Sequence, residues 1–286
     1  MVSSSADGKE IVVQDRRRPN RFRCRATRMA QILFFVALIL PALATADESA
    51  ESAGSEEQNE DTPEASTILE GADRALAVAE DFTATIELTT TTASGRTEER
   101  TMTVSQKGQH QRLVQLTGPA RLRGVGLLAK DEGQLYIYLP SFDRVRRVAG
   151  QQRGEPFLGS NFTQDDFSRT KFSHRFDPTL VDANDEYWTL QLTPKVADDE
   201  PYEKLILKVR TKDHQVPEIL FFEDGSEEPT RRLTASDFRV KDSQSLAHQI
   251  VVEDLKDDSR SVAKLSEVEV NTGMSDSRFT RRHLQR

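Results

Sequence analysis

The chain is 286 residues long, 36% hydrophobic and 30% charged, with one cysteine and a formal net charge of −8. That length suits one large or two small domains, and 14 phenylalanines can seed a core, so disorder throughout is excluded. The acidic balance disfavours a general nucleic-acid binder, and no second apolar run approaches the roughly 20 residues that a polytopic membrane protein would need for each span.

The charge is unevenly placed. Residues 1–46 hold eight basic groups against three acidic ones, leaving 31 basic against 44 acidic in the rest. The Arg-rich start is followed by the apolar run Ile32 to Leu40, then Pro41 and Ala44-Thr45-Ala46. A positive region, a short apolar region and an A-x-A site predict a secretory signal over residues 1–46, cut after Ala46. Arg16-Arg17-Arg18 hints at twin-arginine export, although Pro19 and Asn20 follow where that signal wants apolar residues, and Met29 is a second candidate start. Cys24 is lost with the signal, so the exported chain can hold no disulfide and no thiolate-bound metal. Residues 47–66 carry eight acidic and no basic groups, with little else but small and polar residues. They read as a disordered acidic spacer before one domain over 67–286.

Thr67-Ile68-Leu69-Glu70 has capping-box spacing, and Ile68, Leu69, Ala72, Leu76 and Ala77 recur at helical intervals, which predicts an amphipathic helix over Ile68–Glu80. The period then changes from 3.6 to 2. Phe82, Ala84, Ile86 and Leu88 alternate with polar residues, and strand patterns recur through Met102-Val104, Leu113-Leu116, Val125 to Ala129, Leu135 to Leu139 and Arg144 to Val148. Further patterns follow at Trp188-Leu192, Leu205-Val209, Ile219-Phe222, Leu233-Val240, Ile250-Val252 and Leu265-Val270. The reading is a mainly β chain of about ten or eleven antiparallel strands whose single apolar face must be buried. Either a second sheet covers it, or one curved sheet holds helices or a ligand inside.

Catalytic signals are weak. Gly124-Val125-Gly126-Leu127-Leu128-Ala129 matches a dinucleotide fingerprint, but a strand follows where a helix is needed, so close backbone approach or a bulge is the expectation. The five histidines are scattered without metal-ligand spacing, and no serine sits in a G-x-S-x-G elbow. No metal or organic cofactor and no enzymatic activity is expected. Asp165-Asp166 reads as helix N-terminal charge or a solvated turn. Beyond the signal region, Arg144, Arg146, Arg147 and Arg153 form the one concentrated basic patch. It is either edge-protecting charge or a grip on phosphate or carboxylate headgroups or on an acidic partner.

The run Leu139-Pro140-Ser141-Phe142-Asp143-Arg144-Val145-Arg146-Arg147-Val148, then Gly159 to Phe167, resembles the LolA-like outer membrane lipoprotein-sorting protein family, in its uncharacterised periplasmic branch. The opening helix and the closing Asn271 to Thr280 fit it as well. Asn161, Gln164 and Phe167 depart from the family pattern, and that family's lid-locking arginine has no evident counterpart in the sequence. The resemblance implies an incomplete, strongly curved antiparallel β-barrel with helices covering an apolar cavity. It also implies a periplasmic carrier of lipid or lipoprotein acyl chains toward the outer membrane, exchanging with an inner-membrane transporter and an outer-membrane acceptor. Members of that branch are often encoded beside exporters of the resistance-nodulation-division type, so an accessory subunit of such an exporter is the alternative. The expected cavity wall is Ile86, Leu88, Met102, Val104, Leu127, Leu135, Ile137, Leu139, Trp188, Leu190, Leu192, Leu205 and Leu207, faced by Ile68, Leu69, Ala72 and Leu76 from the helix. Plain core packing is the competing reading for each.

Overall fold

A computed structural model describes residues 62–285, apart from 78–79, 131–133, 149, 169–170 and 198–199. These residues belong to one compact unit, Glu57–Arg286. The signal reading of residues 1–46, the cut at Ala46 and nearly all of the spacer lie outside them, as does the turn at Asp131-Glu132-Gly133.

The first element is α1 (Ala65–Leu76). It begins and ends earlier than the sequence pattern indicates. Thr67 lies inside the helix instead of capping it, the N-cap is Glu64 without a side-chain cap bond, and Ala77 already adopts extended backbone. Packing decides the start: Ala65 rests against the same apolar cluster that buries Ile68, Leu69 and Ala72, so the preceding turn is drawn into the helix.

Thirteen strands follow: β1 (Asp81–Thr91), β2 (Thr97–Lys107), β3 (Gln111–Gly118), β4 (Gly126–Lys130), β5 (Gln134–Leu139), β6 (Arg144–Val148), β7 (Phe176–Ala183), β8 (Tyr187–Pro194), β9 (Lys204–Arg210), β10 (Glu218–Phe222), β11 (Arg231–Lys241), β12 (Gln244–Asp254) and β13 (Arg260–Val270). They form a single antiparallel sheet in the order β6-β5-β4-β3-β2-β1-β13-β12-β11-β10-β9-β8-β7. The sheet is curved but not closed, so the fold is mainly β and a two-sheet sandwich is excluded. Register shifts at Thr83/Thr85, Thr101/Met102 and Leu180/Asp182 add local twist. The edges are protected from further pairing by Arg144, Arg146 and Arg147 on β6, and by Asp177, Pro178 and Asp182 on β7. β7 is the strand without a counterpart in the sequence reading, because Pro178 and a mostly polar face hide its period.

The topology is two meanders joined through β1 and β13, which places β6 and β7 at opposite edges. The chain between them must therefore cross the sheet, and this crossing carries α2 (Gln164–Ser168). Two apolar clusters occupy the inner face. One joins β1–β5 to Phe157, Phe162 and Phe167 of the crossing. The other joins α1 to β8–β10, Phe172 and Phe176. Successive strand residues face opposite ways, so Val114 and Leu127 enter the inner cluster while Leu113 and Leu128 point outward. There Phe279 and Leu284, the latter on α3 (Arg281–Leu284), cover them. Gly126 is needed for that contact, since a Cβ on it would stand 2.6 Å from Leu284 Cδ1. The dinucleotide-like motif is thus a turn at Gly124 (φ +83°) followed by the tightly packed strand β4. Asp81 anchors the closing segment by accepting from Thr272 N–H (2.8 Å), Thr272 Oγ1 (2.6 Å) and Met274 N–H (2.8 Å). Among the described residues no helix is long and apolar enough to cross a membrane.

Candidate functional site

Between the two inner clusters the central strands keep a cavity of about 220 Å³. Its apolar lining comes from Phe82 (β1), Ile219 (β10), Leu233, Ala235 and Phe238 (β11), Leu246, Ala247 and Ile250 (β12) and Leu265 (β13), with Val216 and Phe172. Ala75 and Leu76, the last turn of α1, roof it. Alanines at 235 and 247 leave room where bulkier residues would fill the hollow, and β11 and β12 are mostly half-buried along this stretch. Gln106, Arg112, Asp166, Gln215 and Ser245 add a few polar groups to an otherwise apolar lining. Two wider hollows, about 530 and 650 Å³, meet near Gly108 and His110 and open to solvent.

The crossing segment is held over the sheet by arginines from β2, β3 and β11 and by Arg175, which directly precedes β7. Arg100 donates to Leu158 O at 2.6 Å and pairs with Glu98 at 2.8 Å. Arg112 donates to Phe167 O at 3.4 Å. Arg175 pairs with Asp165 (2.7 Å) and Glu200, and Arg231 pairs with Asp166 and donates to the Tyr202 hydroxyl. Burial opposes charge on Arg175 and Arg231, yet Asp165 with Glu200, and Asp166 with Tyr202, outweigh it and hold both guanidiniums above their usual range. Burial pushes Arg100 down, against the pull of Glu98. Asn161 adds bonds to Ser259 (2.5 Å), just before β13, and to Ser261 (2.8 Å) on it. Asp166 also accepts from Thr163 N–H at 2.8 Å while Thr163 Oγ1 accepts from Asp166 N–H at 3.2 Å, a reciprocal cap that starts α2. Asp165 and Asp166 are therefore buried ion-pair members, in place of the helix-dipole charge or solvated turn expected from sequence. The roof and the crossing are tied together by Asp73, whose carboxylate accepts from Phe172 N–H (2.7 Å) and Ser173 N–H (3.0 Å).

Of the expected wall residues, Leu76 lines the cavity. Ile86, Leu88, Met102, Val104, Leu127 and Leu135 are buried in the first inner cluster, with Ile137 and Leu139 packed on it. Ile68, Leu69, Ala72, Leu190, Leu192, Leu205 and Leu207 are buried in the second, with Trp188 against it. They form the flanks between which the cavity lies. The basic patch divides. Arg144 and Arg146 stand exposed beside Leu139 and Ile137 at the inner rim, near Phe142, which is 63% exposed. Arg147 pairs with Tyr136 on the outer face, and Arg153 lies half-buried in the single-turn helix after β6. Sequence reasoning missed Arg100, Arg112 and Arg231. A usable signal was present: each stands in phase with inward apolar residues two positions on (Met102, Val114, Leu233), which puts a charge on the buried face. Among the described residues no group of three or more His, Cys, Asp or Glu is placed to hold a metal ion.

An open, curved antiparallel sheet with a helix-roofed cavity on its inner face defines a LolA-like fold, and solved structures agree. A domain from Vibrio parahaemolyticus, provisionally named an outer membrane lipoprotein-sorting protein, matches at TM-score 0.70 and 17% identity, over 78% of this chain and 98% of its own. A DUF1329 family protein from Desulfovibrio piger matches at 0.70 and 19%, over 78% and 100%. A LolA superfamily protein from Nitrosomonas europaea matches at 0.65 and 24%, again over 78% and 100%. The family profile described as "-like: Uncharacterized protein" matches residues 108–286, and the chain belongs to that family. No curated protein matches it by sequence.

Proposed function

We propose that the protein is a periplasmic carrier, exported by a signal cut near Ala46, which receives a lipid or lipoprotein acyl chain and passes it toward the outer membrane. The observation that carries this reading is the apolar cavity roofed by α1, on a fold shared with a domain named for lipoprotein sorting and with a LolA superfamily protein. A soluble carrier must replace membrane contacts worth about 0.8 kcal/mol per buried CH₂. The lining offers side chains for that, and the flanking wall from Ile86 to Leu139 and from Trp188 to Leu207 extends it if α1 lifts. At about 220 Å³ the cavity is below the roughly 300–1,000 Å³ usual for ligand pockets. It takes part of one chain as it stands and must widen to take more. Gentle purification followed by lipid mass spectrometry tests the reading: a co-purifying lipid is expected, and a cavity repeatedly empty and closed to fluorescent fatty acids overturns it.

A second reading, an accessory subunit docked on an inner-membrane exporter, is favoured by the exposed rim of Phe142, Arg144 and Arg146. Crosslinking in cells separates the two: a subunit recovers one stoichiometric partner, whereas a carrier touches membranes and several clients.

A further inference from the structure

Arg112 is half-buried on β3, lines the cavity, and lacks a carboxylate partner among the described residues. Its guanidinium has five N–H donors. Nε and Nη2 donate to Gln106 Oε1 at 2.9 and 2.6 Å, and Nη1 donates to Phe167 O at 3.4 Å. That engages three; the other two find no acceptor among the described residues. Gln106 is itself fixed, because its Nε2 donates to Gly108 O at 3.1 Å and so turns Oε1 toward Arg112. Burial lowers the Arg112 pKa to about 10, which leaves it charged at neutral pH. The other ionisable group on the lining, Asp166, is matched by Arg231. The cavity therefore holds one unmatched positive charge in an apolar setting, where an incoming anion is attracted more strongly than in water.

We propose that Arg112 makes the cavity selective for single-chain amphiphiles with an anionic head, a carboxylate or a phosphate, held on the free edge of its guanidinium. The chain then lies along Phe82, Ile219, Leu233, Ile250 and Leu265. Two N–H donors suit either head, and the small volume admits part of one chain and no second. This rests on the carrier reading and narrows it: the uncharged ester and amide of a lipoprotein's acyl anchor would leave Arg112 without a counter-charge.

Calorimetric titration of the purified protein with laurate, dodecyl phosphate and dodecanol tests it. Wild type is expected to bind one or both anions at least ~10-fold tighter than the alcohol, the comparison of laurate with dodecyl phosphate identifying the head. Arg112→Met is expected to erase that preference while keeping dodecanol affinity within about twofold, and Arg112→Lys to keep part of it. Thermal unfolding of both variants checks folding, and the lysine variant carries the test if the methionine variant is unstable. No preference in wild type, or an undiminished preference in Arg112→Met, overturns the inference and leaves the carrier reading standing. Failure of all three ligands to bind wild type overturns the carrier reading and the inference with it.

Discussion

Replacing Asp166 by Asn breaks the ion pair with Arg231 while keeping the volume of the side chain. Both partners are buried, with side-chain exposures of 4% for Asp166 and 8% for Arg231. Removing one member of such a pair leaves an uncompensated buried charge and costs about 3–5 kcal/mol. Among the described residues Arg231 keeps the Tyr202 hydroxyl and ring and the Phe221 ring, 4.1 Å away, none of which neutralises it. Because Asn can still accept from Thr163 N–H, the start of α2 should survive and the loss stay near the lower figure, about 3 kcal/mol. For a domain of this size that corresponds to a fall of roughly 6–12 °C in melting temperature. Urea unfolding followed by the single tryptophan, Trp188, measures it, and an unchanged slope shows that stability alone has moved. Arg231→Met should cost a similar amount, and the double variant about 2 kcal/mol or more less than the sum. A loss in Asp166→Asn below about 0.5 kcal/mol, with additive single effects, would refute the clamp as the element that holds the crossing segment.

Three further outcomes follow from the geometry. In Gly71→Ala the new Cβ would stand 2.1 Å from His214 Cδ2, so α1 must move; a destabilisation of about 1–3 kcal/mol is expected by chemical denaturation, relieved when His214→Ala is combined with it. Asp81 is raised by burial but lowered more by Thr272 and the amides of Met274 and Thr272, so its pKa lies below the ordinary carboxylate range. Its stabilisation is therefore complete above about pH 3.9 and disappears as pH falls through its lower folded value. The urea midpoints of wild type and Asp81→Asn should accordingly differ at pH 7 and converge in strong acid. Ala235→Phe places a ring in the cavity, and fluorescent fatty-acid binding should be lost while the melting temperature stays within a few degrees; unchanged binding would mean the ligand lies elsewhere.

Strand identity was legible wherever one face is apolar and the other polar, as in Ala84, Ile86 and Leu88 against Thr83, Thr85 and Glu87. Period 2 reports that a face is buried and is silent on what buries it, so it could not choose between a sandwich and one curved sheet. That choice depends on the pairing of β1 with β13, some 180 residues apart, which no local signal encodes. The cavity was less legible still, because a void is set by what the sequence omits. The most apolar strands pack together and fill the flanks. The lining draws on β11 and β12, where Ala235, Ala247, Ser245 and Phe238 give a mixed composition that reads as an ordinary surface strand. The role of Asp165-Asp166 was hidden for a related reason: their partners, Arg175 and Arg231, lie 10 and 65 residues away.

The two covers of the cavity are held by different forces, and this decides where it can widen. The crossing segment is fixed by charge-assisted bonds from Arg100, Arg175 and Arg231 and by three buried phenylalanines, so displacing α2 exposes several buried charges at once. α1 is rooted along its length up to Asp73, by Ile68, Leu69 and Ala72, all essentially inaccessible, and by Asp73 itself. Beyond Asp73 the hold weakens. Leu76 is 39% exposed, and the contact of this last turn with the β11–β12 hairpin runs through Gln215, whose Nε2 reaches Ser245 O at 3.1 Å and Ala75 O at 3.5 Å. Lifting one exposed leucine and one neutral hydrogen bond, each worth about 1 kcal/mol, is far easier than breaking a single clamp pair. The free-energy difference places the yielding side of the cavity at the C-terminal turn of α1, opposite the fixed side formed by α2.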